Sequence, residues 1–100
     1  MDKKDLEQKI TGWKGKYPKG VFVYETEDGK TCYLRTPERK ALSAAAVIGK
    51  NDPLKYNEIL LNNCWLDGDE AIKMEDKYFL GISGKLADLV EIAEGELKKL

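Results

Sequence analysis

Histidine is absent from this 100-residue chain. Its absence removes the commonest general base and the commonest metal ligand near neutral pH. Cysteine occurs only at Cys32 and Cys64, with no CxxC spacing, so one copy of the chain cannot assemble a structural zinc site or a thioredoxin-like redox motif. A disulfide between them is allowed on counting alone, but small oxidised domains usually carry more bridges. The opening Met1-Asp2-Lys3-Lys4-Asp5 also lacks the apolar stretch of a secretory signal. Reduced thiols in a cytoplasmic protein are the expectation. The longest apolar run, Ala44–Ile48, has five residues, whereas a membrane span needs ~20, so no segment is expected to cross a bilayer. Charge of one sign is lacking too: 17 Lys+Arg against 18 Asp+Glu leave a net charge of -1, with no general attraction to nucleic acid or anionic lipid.

The chain does hold enough apolar material, 42% of residues, for one modest core without staples. A single domain over residues 1–100 is expected, with no repeat or inter-domain linker. Asp2 to Ile10 reads as a short amphipathic helix, with Leu6, Ile10 and Trp13 on one face. Gly12, Gly15, Pro18 and Gly20 predict a turn-rich connector after it, from Lys14 to Lys19.

Residues 20–35 form a predicted β-hairpin. Val21–Tyr24 and Thr31–Leu34 flank Asp28-Gly29, a favoured pair for a primed two-residue turn. That turn would set Tyr24 opposite Tyr33 and Val23 opposite Leu34. A lone ribbon is marginal in water, so it must pack on helices or gain strands from a partner chain. Residues 36–100 predict a helical bundle. Thr36-Pro37 should cap and open a helix to Ile48 with Leu42, Ala45, Ala46 and Ile48 inward. Asp52-Pro53 should open the next, carrying Tyr56, Ile59, Leu60 and Cys64. Asp67-Gly68-Asp69 reads as a turn. A last helix, capped by Glu75 or Asp76, should run through Phe79, Ile82, Leu86, Leu89, Val90, Ala93 and Leu97, split near Ser83 by Gly81 and Gly84. The fold class is α+β and mostly helical: a hairpin followed by a small bundle of three to four helices, with a short N-terminal helix.

No residue constellation reads as catalytic. Asp67-Gly68-Asp69-Glu70 invites a calcium reading, but Ala71 and Ile72 stand where the EF-hand loop needs a ligand and a glycine. Cys64 has Asn62, Asn63, Trp65 and Leu66 around it rather than the cationic neighbour of a reactive thiolate, and reads as core. Trp13, Lys14, Lys16, Tyr17 and Lys19 interleave aromatics with lysines, the chemistry of a single-stranded nucleic-acid platform; solvated lysines beside docked aromatics are the plainer account. Residues 1–20 hold six lysines and three acids, while residues 51–100 hold six basic and eleven acidic side chains. The basic end of one copy could therefore meet the acidic end of another, head to tail. Around the third helix, Tyr56, Leu61 and Trp65 supply more apolar bulk than one buried stripe needs. Leu61 and Trp65, an i, i+4 pair, read either as core closure or as an exposed anchor for a partner helix.

The order hairpin, Arg35-Thr36-Pro37, alanine-rich helix, then Asp52-Pro53-Leu54-Lys55-Tyr56-Asn57-Glu58-Ile59-Leu60-Leu61-Asn62-Asn63-Cys64 resembles the small tail assembly chaperones of long-tailed bacteriophages and prophages. The resemblance covers residues 20–95. It implies a non-enzymatic protein without cofactors that binds the helical tape measure protein, keeps its apolar faces soluble and recruits tail tube subunits. The alternative is a small nucleic-acid-binding regulator working through the basic, aromatic N-terminal segment.

Overall fold

A computed structural model describes residues 3–90 and 94–100. It is α+β and mostly helical: α1 (Lys3–Lys16), β1 (Val21–Glu25), β2 (Thr31–Arg35), α2 (Arg39–Ile48), α3 (Pro53–Cys64), β3 (Trp65–Gly68), α4 (Ala71–Met74), α5 (Asp76–Ser83) and a 3-10 turn, Leu86–Leu89. The strands form one antiparallel sheet in the order β1-β2-β3. On one face, Cys32 and Leu34 are buried in a core completed by Ala45, Leu60, Leu61, Cys64, Ile72, Ile82, Leu86 and Leu89. On the other face lies α1, whose Trp13 ring meets Tyr33 at 5.5 Å and whose Lys9 pairs with Asp67 at 3.1 Å.

The helix α1 continues past Ile10 through Gly12 and Gly15 to Lys16, where a break was expected; its expected start at Asp2 lies outside the described residues. Each glycine costs ~1 kcal/mol in a helix, but Trp13 docks on the sheet only if the helix reaches it. Leu6, Ile10 and Trp13 are all half-buried, as their spacing requires.

The hairpin is present with its register displaced by one residue: Tyr24 faces Cys32 and Val23 faces Tyr33. The Thr26 hydroxyl accepts the Lys30 N–H at 2.9 Å while the Thr26 N–H donates to the Lys30 carbonyl at 2.8 Å. Glu27-Asp28-Gly29 is thus a three-residue loop. A primed two-residue turn needs positive φ at both central positions, and here only Gly29, at +91°, has it.

The ribbon gains its third strand from its own chain. Asp67 and Gly68, read as a turn, belong to β3, with Cys32 opposite Gly68 and Tyr33 opposite Asp67. At Gly68, φ is +144° and a Cβ would stand 2.5 Å from the Cys32 Cα, so only glycine allows this approach.

The Thr36-Pro37 start is also corrected: α2 begins at Arg39 after Glu38, which makes no side-chain capping bond. Pro37 is buried in the junction, and Arg35 holds Glu38 at 3.8 Å, so the chain stays extended there. Asp52 caps α3 as expected, accepting the Lys55 N–H at 3.1 Å. The expected last helix does not reach Leu97. It ends at Ser83, and Leu86 and Leu89 then reach the core from the 3-10 turn, whose three-residue period puts both on one side. Ala93 lies outside the described residues, and Leu97 is fully exposed.

Two glycine substitutions separate these effects. Gly68→Ala should destabilise by about 2 kcal/mol or more, through positive φ and collision with Cys32. Gly12→Ala, which meets nothing within 4 Å, should stabilise by ~0.5–1 kcal/mol. Urea denaturation of the two variants measures both.

Candidate protein-binding surface

After Arg39 and Lys40, α2 reads Ala-Leu-Ser-Ala-Ala-Ala-Val-Ile, with Ser43 its one polar side chain. A helix so apolar on all sides is normally enclosed. Here only Ala45 is buried, against α3, and Leu42 is half-buried. Ala46 and Ile48, both expected to face inward, are exposed. The reason is that a single neighbouring helix covers one side only. Val47 is 75% exposed, Ile48 61% and Leu54, in the first turn of α3, 50%. The hairpin fold of α2 on α3 brings these three to the same end. Gly49 makes that fold close, since a Cβ there would stand 2.6 Å from the Tyr56 backbone nitrogen. Arg39 and Lys40 are exposed at the start of α2 and Lys50 in the turn after it, and none has an acidic partner within the described residues. The surface is an apolar seam with Lys50 at its edge and Arg39 and Lys40 at the other end of α2.

The side chains proposed as partner anchors sit elsewhere. Leu61 is 1% exposed and belongs to the core, so of the two readings of Leu61 and Trp65 core closure holds, and Leu61 is corrected as a partner anchor. Trp65 caps α3, whose stripe turns Leu61 inward beneath it. Trp65 is half-buried, with the Lys73 ammonium 4.4 Å from its ring centre, and Tyr56 is half-buried against the core. Of the basic, aromatic segment, Lys14, Lys16 and Lys19 are exposed, but Trp13 packs on Tyr33 and Tyr17 has the Arg35 guanidinium 5.1 Å from its ring centre. Both aromatics are engaged by the chain's own side chains.

The charge asymmetry is partly neutralised inside the molecule. Lys9 in the basic segment meets Asp67, and Lys30 meets Asp69 at 3.6 Å, while Glu70 pairs with Lys73 at 3.0 Å. Asp67, Asp69 and Glu70 therefore each face a lysine. No cluster of three potential metal ligands occurs among the described residues. Burial pushes the Cys32 thiol up to about 12 and the Cys64 thiol to about 11, so both are protonated at neutral pH. Both are free and buried.

A second apolar feature lies beside β1, a cleft of about 220 Å³ between Phe22, Tyr24 and Leu34 on the sheet and Ile82, Leu86 and Leu89 opposite. The hairpin loop is tied to α5 separately: the Thr26 and Tyr78 hydroxyls both donate to the Asp28 carboxylate. These bonds, Thr26 first, hold the Asp28 pKa below its ordinary value, and donating a hydrogen bond to Asp28 keeps the Tyr78 phenol neutral and raises its pKa.

In comparisons with protein-family models, curated proteins and solved structures, nothing matches this chain. The surface has to be read from its own chemistry.

Leu61→Ala should cost about 2–5 kcal/mol in urea denaturation, as for a buried leucine. Val47→Ala should stay within about 0.5 kcal/mol, as for a surface site. The Asp28–Tyr78 contact makes a pH prediction. A lowered folded-state pKa for Asp28 means that its stabilising contribution is present above the unfolded value and lost as pH falls through the folded one. Tyr78→Phe should move the Asp28 midpoint upward in an NMR pH titration of its side-chain carboxyl carbon, leaving the part of the depression due to Thr26 and Lys30.

Proposed function

We propose that this chain is a non-enzymatic protein-binding module of the tail assembly chaperone kind, which holds an amphipathic helix of a longer partner along the seam of Val47, Ile48 and Leu54. The observation that carries the reading is the exposed outer side of α2: an all-apolar helix tail left uncovered beside Lys50, on a helix that opens with the exposed Arg39 and Lys40. Apolar helix faces are commonly read by a partner's i, i+3, i+4, i+7 anchors. Alanines at Ala44 and Ala46 allow close approach, and the basic residues at the two ends of α2 favour a helix with acidic flanks. The protonated, buried thiols leave neither cysteine as a nucleophile, which supports a binding role over a covalent catalytic one.

On this reading the partner is a long helical protein of the tape measure type, and the chain shields its apolar face until tube subunits assemble. Affinity purification from cells expressing the neighbouring genes should recover a long helical protein or a tube subunit. Val47→Glu combined with Ile48→Glu should reduce that recovery about tenfold or more by placing charge in the seam, with the fold intact by circular dichroism. Recovery of neither protein, or recovery that the double substitution leaves unchanged, overturns the proposal.

A further inference from the structure

The outer edge of β1 pairs with nothing among the described residues, and its chemistry specifies a partner. Exposed sheet edges are usually blunted by proline, lysine, bulges or short length. The other edge, β3, is four residues long, is paired through a register irregularity and carries Asp67 tied to Lys9. By contrast, β1 reads Val-Phe-Val-Tyr-Glu in unbroken register, and Phe22 and Val23 are 40% and 58% exposed.

The free hydrogen-bonding groups of β1 can be assigned. Thr26 and Lys30 are a bonded pair, and the Thr31 carbonyl is turned toward β3, where it accepts the Asp69 N–H at 3.0 Å. Bonded and non-bonded pairs alternate along an antiparallel ladder. Tyr24 and Phe22 therefore bond inward to β2, and Val21, Val23 and Glu25 present their N–H and C=O groups outward.

We infer that β1 is the seam of a two-fold symmetric dimer, in which β1 of a second copy pairs antiparallel with it about Val23. Two features meet in that one register, and a third lies at its ends. Val23 faces Val23 as a doubly bonded pair, and Val21 faces Glu25 as the next bonded pairs, so every outward group on those residues is satisfied. Phe22 faces Tyr24 of the second copy twice, in the closer non-bonded positions and on the face that carries the cleft, where aromatic cross-strand pairs are favourable. Beyond the strand ends, antiparallel pairing brings the turn before β1, which carries Lys19, near the hairpin loop of the second copy, which carries Glu27, and does so twice. Both side chains are exposed and have no ion-pair partner among the described residues. The two three-stranded sheets become one of six strands, and the interface is isologous, not the head-to-tail contact that the charge asymmetry alone suggests. The seam lies on the sheet, whereas the proposed partner helix lies on α2 and α3, so one can fail without the other.

Sedimentation of the full chain over a concentration series tests this. The expected result is a monomer–dimer equilibrium that weakens with added salt, as exposed ion pairs do. Val23→Lys should raise the dissociation constant about tenfold or more, because it sets like charges opposite each other on the axis. Lys19→Glu and Glu27→Lys should each weaken self-association, and an equimolar mixture of the two should form a heterodimer, since both opposed pairs are then complementary. Circular dichroism checks that each variant keeps its fold. In the dimer the Val21, Val23 and Glu25 amides should gain protection from hydrogen exchange. A chain that stays monomeric throughout, a dimer unaffected by Val23→Lys, or a mixture that does not pair overturns the inference.

Discussion

The close approach of Gly68 to Cys32 joins the two halves of this molecule. Without it, Val21–Arg35 would be a two-stranded ribbon, and such ribbons are marginal in water. With it, the chain that leaves α3 at Cys64 runs back along β2 and closes a three-stranded sheet. That sheet has two uses. One face gives Cys32 and Leu34 to the core beneath the helices, and the other receives Trp13 and Lys9 of α1. An α1 with no fully buried residue is held in place by those contacts rather than by its own amphipathicity.

A sheet that ends on β1 and a bundle that ends on α2 leave two surfaces of different character. Along β1 the outward groups are backbone, so recognition there, as inferred, would be by strand addition and register. On α2 the backbone is satisfied and the uncovered groups are aliphatic side chains, so recognition there, as proposed, would be by packing. The first suits a second copy, because its charges and aromatics are self-complementary about Val23. The second suits a different chain, because the charges at its ends, Arg39, Lys40 and Lys50, have one sign and would repel a copy of itself.

Much of the architecture was legible in short-range signals. Asp52-Pro53 specified the start of α3 because a cap and a first-turn proline act within one turn of backbone. The split near Ser83 followed from two glycines, and the strands of the hairpin followed from β-branched and aromatic residues. The hairpin register was not legible: Asp28-Gly29 suits two turn types, and the Thr26 hydroxyl, by taking the Lys30 N–H, selects the longer loop. Nor was β3, since Trp65-Leu66-Asp67-Gly68 is too short to show an alternation and becomes a strand only when β2 lies beside it. The site was the least legible part. Leu61 and Val47 are both aliphatic residues on amphipathic stretches, and which of them faces water depends on where the neighbouring helices end.

By itself the sequence determined the fold class, the capped α3, the hairpin and the absence of histidine chemistry, because propensity, capping and side-chain identity are local properties. The tertiary structure alone decided that Leu61 is core, that Val47, Ile48 and Leu54 are surface, and that β1 is an open edge. Burial and edge position are relations between segments distant in sequence, and they exist only once the sheet has closed through Gly68.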